Sequence, residues 1–315
     1  MGLTIGVDVG GTKVLAGVVD ENGAILAQSR RPTPSTSPTE TADAIAAAVS
    51  ELRQGYDIEA VGIGAAGWID ETRSRVLFAP NLAWREEPLR DNVEARIGLP
   101  VIVENDANAA AWGEYKFGAG RGQGHLILIT VGTGIGCGII LDGLLYRGRF
   151  GVGGEPGHVR VVPDGRRCGC GNRGCWEQYC SGRALEREAR EIVGSSAVIG
   201  ADLLERAGGD IDKISGPLVT TAAMEGDPVA LECFTIVGGW LGQGLADLAA
   251  TLDPGCFVIG GGVSEAGELL LAPARAMYAA TLTGRGHRPL AEIVVAGLSQ
   301  LAGLVGAADL ARYRD

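Results

Sequence analysis

A chain of 315 residues, 46% apolar and 21% charged, has the material for one large or two ordinary domains with well-buried cores. Its net charge of −11 argues against a nucleic-acid groove or an anionic membrane surface as partner, so any phosphate must be held locally. No basic-flanked leader opens it, every long apolar run is broken by Gly, Asp or Gln short of a membrane span, and seven cysteines without a paired framework fit a reducing cytoplasm.

In chain order, Leu3–Val9 reads as a buried strand, Gly10-Gly11-Thr12-Lys13 as a tight turn and Val14–Val19 as a second strand. Asn22-Gly23 is a hairpin signal leading into a third strand, Ala24–Arg30. Such a hairpin offers backbone N–H groups and a hydroxyl to a phosphate, with Asp8 able to hold a metal through water; it is equally readable as an ordinary hairpin. The Walker pattern is absent. Glu40–Gln54 is alanine-rich with helical spacing. Ala60–Ala65 is a strand, and a literal Gly-x-Gly-x-x-Gly falls at Gly62, Gly64 and Gly67. The dinucleotide fingerprint needs a helix next, whereas Trp68–Thr72 reads as strand and turn, so that assignment is rejected.

Leu89–Ile97 is a helix, Val101–Val103 a strand and Ala109–Phe117 a helix, with Glu104-Asn105-Asp106-Ala107-Asn108 between them. Ligands of α/β sheets bind beyond the carboxyl ends of strands, where Asp106 lies, although Asn105 or Asp106 could also serve as a helix cap. Leu126–Val131, Gly132-Thr133-Gly134, a strand Cys137–Leu141 and an Asp142-Gly143 hairpin turn repeat the opening pattern, which suggests two related α/β halves.

Glu155 to Glu177 carries one of three histidines and three of the seven cysteines, spaced His158-x9-Cys168-x-Cys170-x4-Cys175. A Cys3His set suits a closed, structural zinc site; free buried thiols or one disulfide are the alternatives. Gly169, Gly171 and Gly174 ease the bending of the loop, and Glu155 and Glu177 flank it. Trp176–Val193, Ala197–Ala207, Pro217–Gly226 and Pro228–Leu252 read as helices. Cys256–Ile259 is a strand running into Gly260-Gly261-Gly262, where bare backbone can meet a base or ribose. Glu268–Leu282, Glu292–Ala296 and Leu301–Tyr313 follow as helix, strand and helix.

Together Asp8-x-Gly-Gly-Thr-Lys13, Glu104-Asn-Asp-Ala-Asn108, Gly132-Thr-Gly134, Glu155-x-Gly-His158 and Cys168-Gly-Cys-Gly-x-x-Gly-Cys-x-Glu177 resemble the ROK family of sugar kinases and repressors, over nearly the whole chain. Ala79-Pro80-Asn81 and Gly174-Cys175-Trp176-Glu177-Gln178-Tyr179 are most similar to its actinobacterial ATP-dependent glucokinases. The family's repressors carry a helix-turn-helix before the Asp8 strand, and this sequence starts at that strand. Pro156 and Cys137 depart from the family pattern.

The resemblance implies an actin-like ATPase fold of class α/β, two ribonuclease H-like domains with mixed sheets around a central cleft. The smaller domain would comprise residues 1–117 and 301–315, the larger 118–300 with the zinc loop. It further implies phosphorylation of glucose by ATP with Mg2+, Asp106 being the general base. Gly67, Asn81, Asn105, Asp106, Glu155, His158 and Glu177 would hold the sugar. Asp8, Gly10, Gly11, Thr12, Lys13, Gly132, Thr133, Gly134, Gly260, Gly261 and Gly262 would hold the nucleotide, and His158, Cys168, Cys170 and Cys175 a structural Zn2+. A homodimer or homotetramer is expected. The other readings are a kinase for mannose, fructose or an N-acetylated amino sugar, a polyphosphate donor, and a non-catalytic sugar-sensing regulator.

Overall fold

A computed structural model of the chain describes residues 2–313 except residue 197. In it β1 (Leu3–Val9) and β2 (Lys13–Val19) pair antiparallel about the Gly10–Thr12 turn, and β3 (Ile25–Pro32) returns beside β2. Asp20 fastens the second turn by accepting from the N–H groups of Asn22 and Ala24 (2.9 and 2.8 Å). α1 (Pro38–Arg53) starts on a Ser37 cap, with Pro38 in the first turn where a missing N–H costs nothing. β4 (Ile58–Ala65) runs parallel to β1. A small ribbon of β5 (Trp68–Ile69), β6 (Val76–Phe78) and β7 (Arg85–Glu87) follows, then α2 (Leu89–Ile97), ended by a left-handed Gly98. β8 (Val101–Asn105), parallel to β4, leads into α3 (Asp106–Phe117), and the first sheet has the order β3-β2-β1-β4-β8.

The pattern then repeats with β9 (Leu126–Val131), β10 (Ile135–Leu141) and β11 (Leu144–Tyr146). Next come α4 (Glu177–Cys180), α5 (Gly182–Ser195), α6 (Ala201–Arg206), α7 (Gly216–Met224), α8 (Pro228–Leu252), β12 (Cys256–Gly260), α9 (Glu268–Thr281), β13 (Glu292–Val295) and α10 (Ala302–Leu310). The second sheet, β11-β10-β9-β12-β13, copies the first strand for strand, as the repeated Gly-Thr turns suggested. The chain falls into two compact units, Met1–Leu128 with Cys137–Gly154 and Ala296–Asp315, and Ile129–Gly136 with Glu155–Val295.

In the first unit the β-sheet buries Ile5, Val7, Ile63 and Val103 against Ile45, Val49 and Val93 of α1 and α2. α10 covers the other face through backbone-close contacts. A Cβ on Gly6 would collide with the carbonyl of Leu304, on Gly62 with that of Ala307, and on Gly306 with that of Ala109. Gly62 of the false fingerprint is therefore a helix-packing glycine, and β5 rather than a helix follows Gly67. In the second unit α8 packs on α9, with Gly238 and Gly242 making room for Pro273 and Ala274.

α8 is long and apolar enough by length and composition to cross a membrane, which corrects the expectation that no run is. That window is 61% buried inside the fold, as in a core helix. Two further corrections concern caps. α3 begins at Asp106, three residues before the expected start, because the Asn105 side chain accepts from the N–H of Asn108 (3.0 Å). The helix expected over 176–193 breaks at Ser181, whose extended backbone and hydroxyl cap α5 at Ala184. Of the helix expected over 197–207, Ala197 lies outside the described residues and the rest starts at Ala201.

Candidate active site

In the first unit Asp8, Gly64 and Glu104 lie in register across three parallel strands, one step from their ends. The Gly10–Thr12 turn follows β1, Gly67 follows β4, and Asn105-Asp106 follows β8. Gly11 approaches Asn81, whose Cβ lies 3.6 Å from where a Cβ on Gly11 would stand. Asn105 donates through Nδ2 to the carbonyl of Gly67 (3.1 Å) and to Asp106 Oδ1 (3.0 Å), which also accepts from the Ala107 N–H (2.9 Å). Both amide hydrogens of Asn105 are thus committed, and Oδ1 has one acceptor direction left.

Burial raises the pKa of Asp106, opposed by the N–H groups of Ala107 and of Asp106 itself and by the Asn105 amide. Burial also pushes Asp8 up to about 6, helped by the charge of Asp106 and opposed by Lys13. Two desolvated carboxylates, the charge of Asp106 raising Asp8 further, suit a cation or a transferred proton.

Beneath them sits a buried network that the sequence did not disclose. Glu104 accepts from the Asn105 N–H (2.9 Å) and Asn108 Nδ2 (3.1 Å) through Oε1. Its Oε2 faces Arg73 Nε (3.0 Å) and Arg147 Nε (2.8 Å). Arg147 also donates to the carbonyls of Asp70 and Glu71 (2.8 and 3.1 Å). Glu104 was legible only as part of a polar run at a strand end; its arginine partners come from distant turns.

In the second unit the Gly132–Gly134 turn closes on itself by the Gly132 N–H donating to the Gly134 carbonyl (3.0 Å). Gly182 at the start of α5 donates to the Gly132 carbonyl (2.7 Å). Gly261, with φ 84°, sits against the backbone of Val131, which a Cβ would strike at 2.5 Å, and exposed Gly262 opens a short 3-10 turn. The bare-backbone loop after β12 thus lies beside the end of β9, which the Gly132–Gly134 turn follows. Glu155 precedes the 3-10 turn Pro156–His158, where buried Pro156 occupies a first-turn position that suits it.

His158 Nδ1 lies 3.6 Å from Cys168 Sγ, Cys170 Sγ lies 3.6 Å from Cys175 Sγ, and one donor atom from each residue falls within 4.8 Å of all the others. Tetrahedral Zn–S bonds of about 2.3 Å put sulfurs about 3.8 Å apart, so the cluster fits zinc. Gly171 and Gly174 have φ of 95° and 75°, and a Cβ on Gly174 would collide with the Val162 carbonyl; Gly169 has no such constraint. Glu177 turns its carboxylate to the cluster, Oε1 lying 3.0 Å from Cys168 Sγ and 3.9 Å from His158 Nδ1. Trp176 anchors the loop's end by donating to the Trp240 carbonyl (2.8 Å), its indole filling the space over Gly244.

The ROK family profile matches residues 4–314. Over 315 residues the sequence is 55% identical to the glucokinase of Streptomyces coelicolor, covering 100% of this chain and 99% of that one. Identity to the glucokinase of Thermotoga maritima is 38% over 312 residues, 98% and 97% of the two chains. Among solved structures, a ROK family glucokinase from Streptomyces griseus in complex with glucose and AMPPNP superposes with a TM-score of 0.90 at 57% identity, covering 99% of this chain and 100% of that one.

Proposed function

The chain belongs to the ROK family, and from that premise we infer that it is an ATP-dependent glucokinase. The observation that carries the reading is full-length identity of 55% to a Streptomyces glucokinase in a chain that presents Asp106 at the end of a parallel strand. The fold is the mixed α/β, actin-like ATPase fold of the family's sugar kinases.

Phosphoryl transfer asks the protein mainly for positioning and charge stabilisation. Asp106 takes the proton of the glucose 6-hydroxyl as that oxygen bonds the γ-phosphorus; the bond to the β-phosphate oxygen breaks and ADP leaves with its electron pair. Its raised proton affinity favours that acceptance, and Asn105 fixes the carboxylate from the side. Gly67, Asn81, Asn105, Glu155, His158 and Glu177 hold the remaining hydroxyls. His158, with Nδ1 turned to the sulfurs, offers Nε2 to the sugar. The turns Gly10–Lys13 and Gly132–Gly134 receive the phosphates, and Gly260–Gly262 the adenosine. Asp8 would hold the Mg2+ that accompanies ATP, an ion that would neutralise phosphate charge. The Cys3His set would hold a structural zinc, which would stiffen the loop carrying Glu155 and Glu177.

Cys168, Cys170 and Cys175 stand as thiols rather than in disulfides, which supports a cytoplasmic setting, and exposed Leu144, Tyr146 and Phe150 support a homodimer or homotetramer. The deciding experiment is coupled-assay turnover on a hexose panel with ATP or polyphosphate and Mg2+, with zinc content recorded on the same sample. Fastest turnover on glucose with ATP and about one zinc per chain is expected. Glucose binding without turnover on any sugar would assign a sensor instead.

A further inference from the structure

Gly134 has no backbone reason to be glycine. Its φ lies outside the left-handed region, unlike Gly154 or Gly171 nearby in the sequence. What a side chain there would meet is the Glu177 carboxylate: a Cβ on Gly134 would stand 2.6 Å from Glu177 Oε2, with nothing else inside 3.4 Å. The same carboxylate has its other oxygen 3.0 Å from Cys168 Sγ. Gly132, by contrast, has open space where its Cβ would be.

We infer that Gly134 is a positioning residue for the sugar side of the site. Its missing side chain leaves the room in which Glu177 rests beside Cys168 and His158, so one turn serves both the phosphates and the placement of a sugar-holding carboxylate. Two short links fix the arrangement. α4 begins at Glu177 next to the metal cluster, and four residues later Ser181 and Gly182 start α5, whose first N–H holds the Gly132 carbonyl (2.7 Å). The displaced group in a Gly134→Ala protein is the end of a flexible side chain, so the fold tolerates the methyl while the carboxylate moves.

The inference rests on the glucokinase reading for its sugar readout, and the test carries a second readout that does not. In zinc-loaded Gly134→Ala, the KM for glucose should rise at least tenfold, and the rate at which a chromophoric chelator strips the zinc should change severalfold, with Tm near the parent's. In a Glu177→Ala background the added Gly134→Ala change should move glucose affinity less than twofold, because the methyl then displaces nothing. A glucose KM within twofold of the parent, or full additivity with Glu177→Ala, overturns the inference. If the parent turns over no glucose, the functional reading fails, and an unaltered zinc-stripping rate in Gly134→Ala then overturns the Gly134–Glu177 contact by itself.

Discussion

At the scale of single residues the site is a matter of proton affinity. Asp106 can be replaced by Asn with its local bonds kept, since an amide oxygen still accepts from the Ala107 N–H and the Asn105 amide. Glucose binding by calorimetry should therefore stay near the parent's while kcat falls by about 10²–10⁴-fold, the range for general-base catalysis. Parent-like turnover would remove Asp106 from that role.

Asp8 makes a separate prediction. Its folded pKa of about 6 lies above the ordinary 3.8, so the folded state binds the proton more tightly than the unfolded one. That contribution to stability is complete below about pH 4 and is lost as pH rises through about 6. In metal-free protein, stability relative to Asp8→Asn should fall by of order 1–3 kcal/mol between pH 4 and 7, the upper end being the full difference between 3.8 and about 6. Denaturant melts at four pH values measure it, and a pH-independent difference would mean that Asp8 is not desolvated.

At the scale of elements, glycine decides how closely α10 lies on its neighbours. In an exposed helix Gly→Ala stabilises by about 1 kcal/mol through propensity. At Gly306 the added methyl would strike the Ala109 carbonyl, a backbone atom that cannot swing aside. Gly306→Ala should therefore destabilise by about 1–3 kcal/mol, opposite in sign to propensity, as overpacking does. A raised Tm would show that α10 sits less tightly. This is also where sequence reading ran out. The strand and helix periodicities, the two Gly-Thr turns and the Cys3His spacing were legible because each is a local pattern. Gly62 and Gly306 are read by partners far away in the chain, and so is Glu104, whose arginines stand 31 and 43 residues away. Ser181 was hidden for another reason: a helix on both sides of one serine looks continuous until its hydroxyl is seen to cap the second.

At the scale of the whole molecule, each unit buries apolar side chains of its own, and the Cys3His cluster belongs to the second. Apart from the cluster, the loop from Glu155 to Trp176 is held by two isolated bridges, short-range backbone bonds, the Arg166 fork on Glu191 (2.8 Å for both bonds), the Tyr179 hydroxyl accepting from the Arg166 N–H (3.0 Å) and the Trp176 anchor. Burial pushes Cys168 and Cys175 up, so without a cation these thiols stay protonated and carry no charge of their own. Stripping the zinc, or replacing Cys170 with Ser, should therefore loosen this loop while leaving the first unit's sheet intact. Hydrogen exchange should show protection lost in peptides covering 155–182 and kept in those covering β1, β4 and α10. Glucose affinity should fall in parallel, since Glu155, His158 and Glu177 all leave their places together. Uniform loss of protection would instead make the cluster a keystone of the entire fold, and unchanged glucose affinity would detach the metal from the sugar.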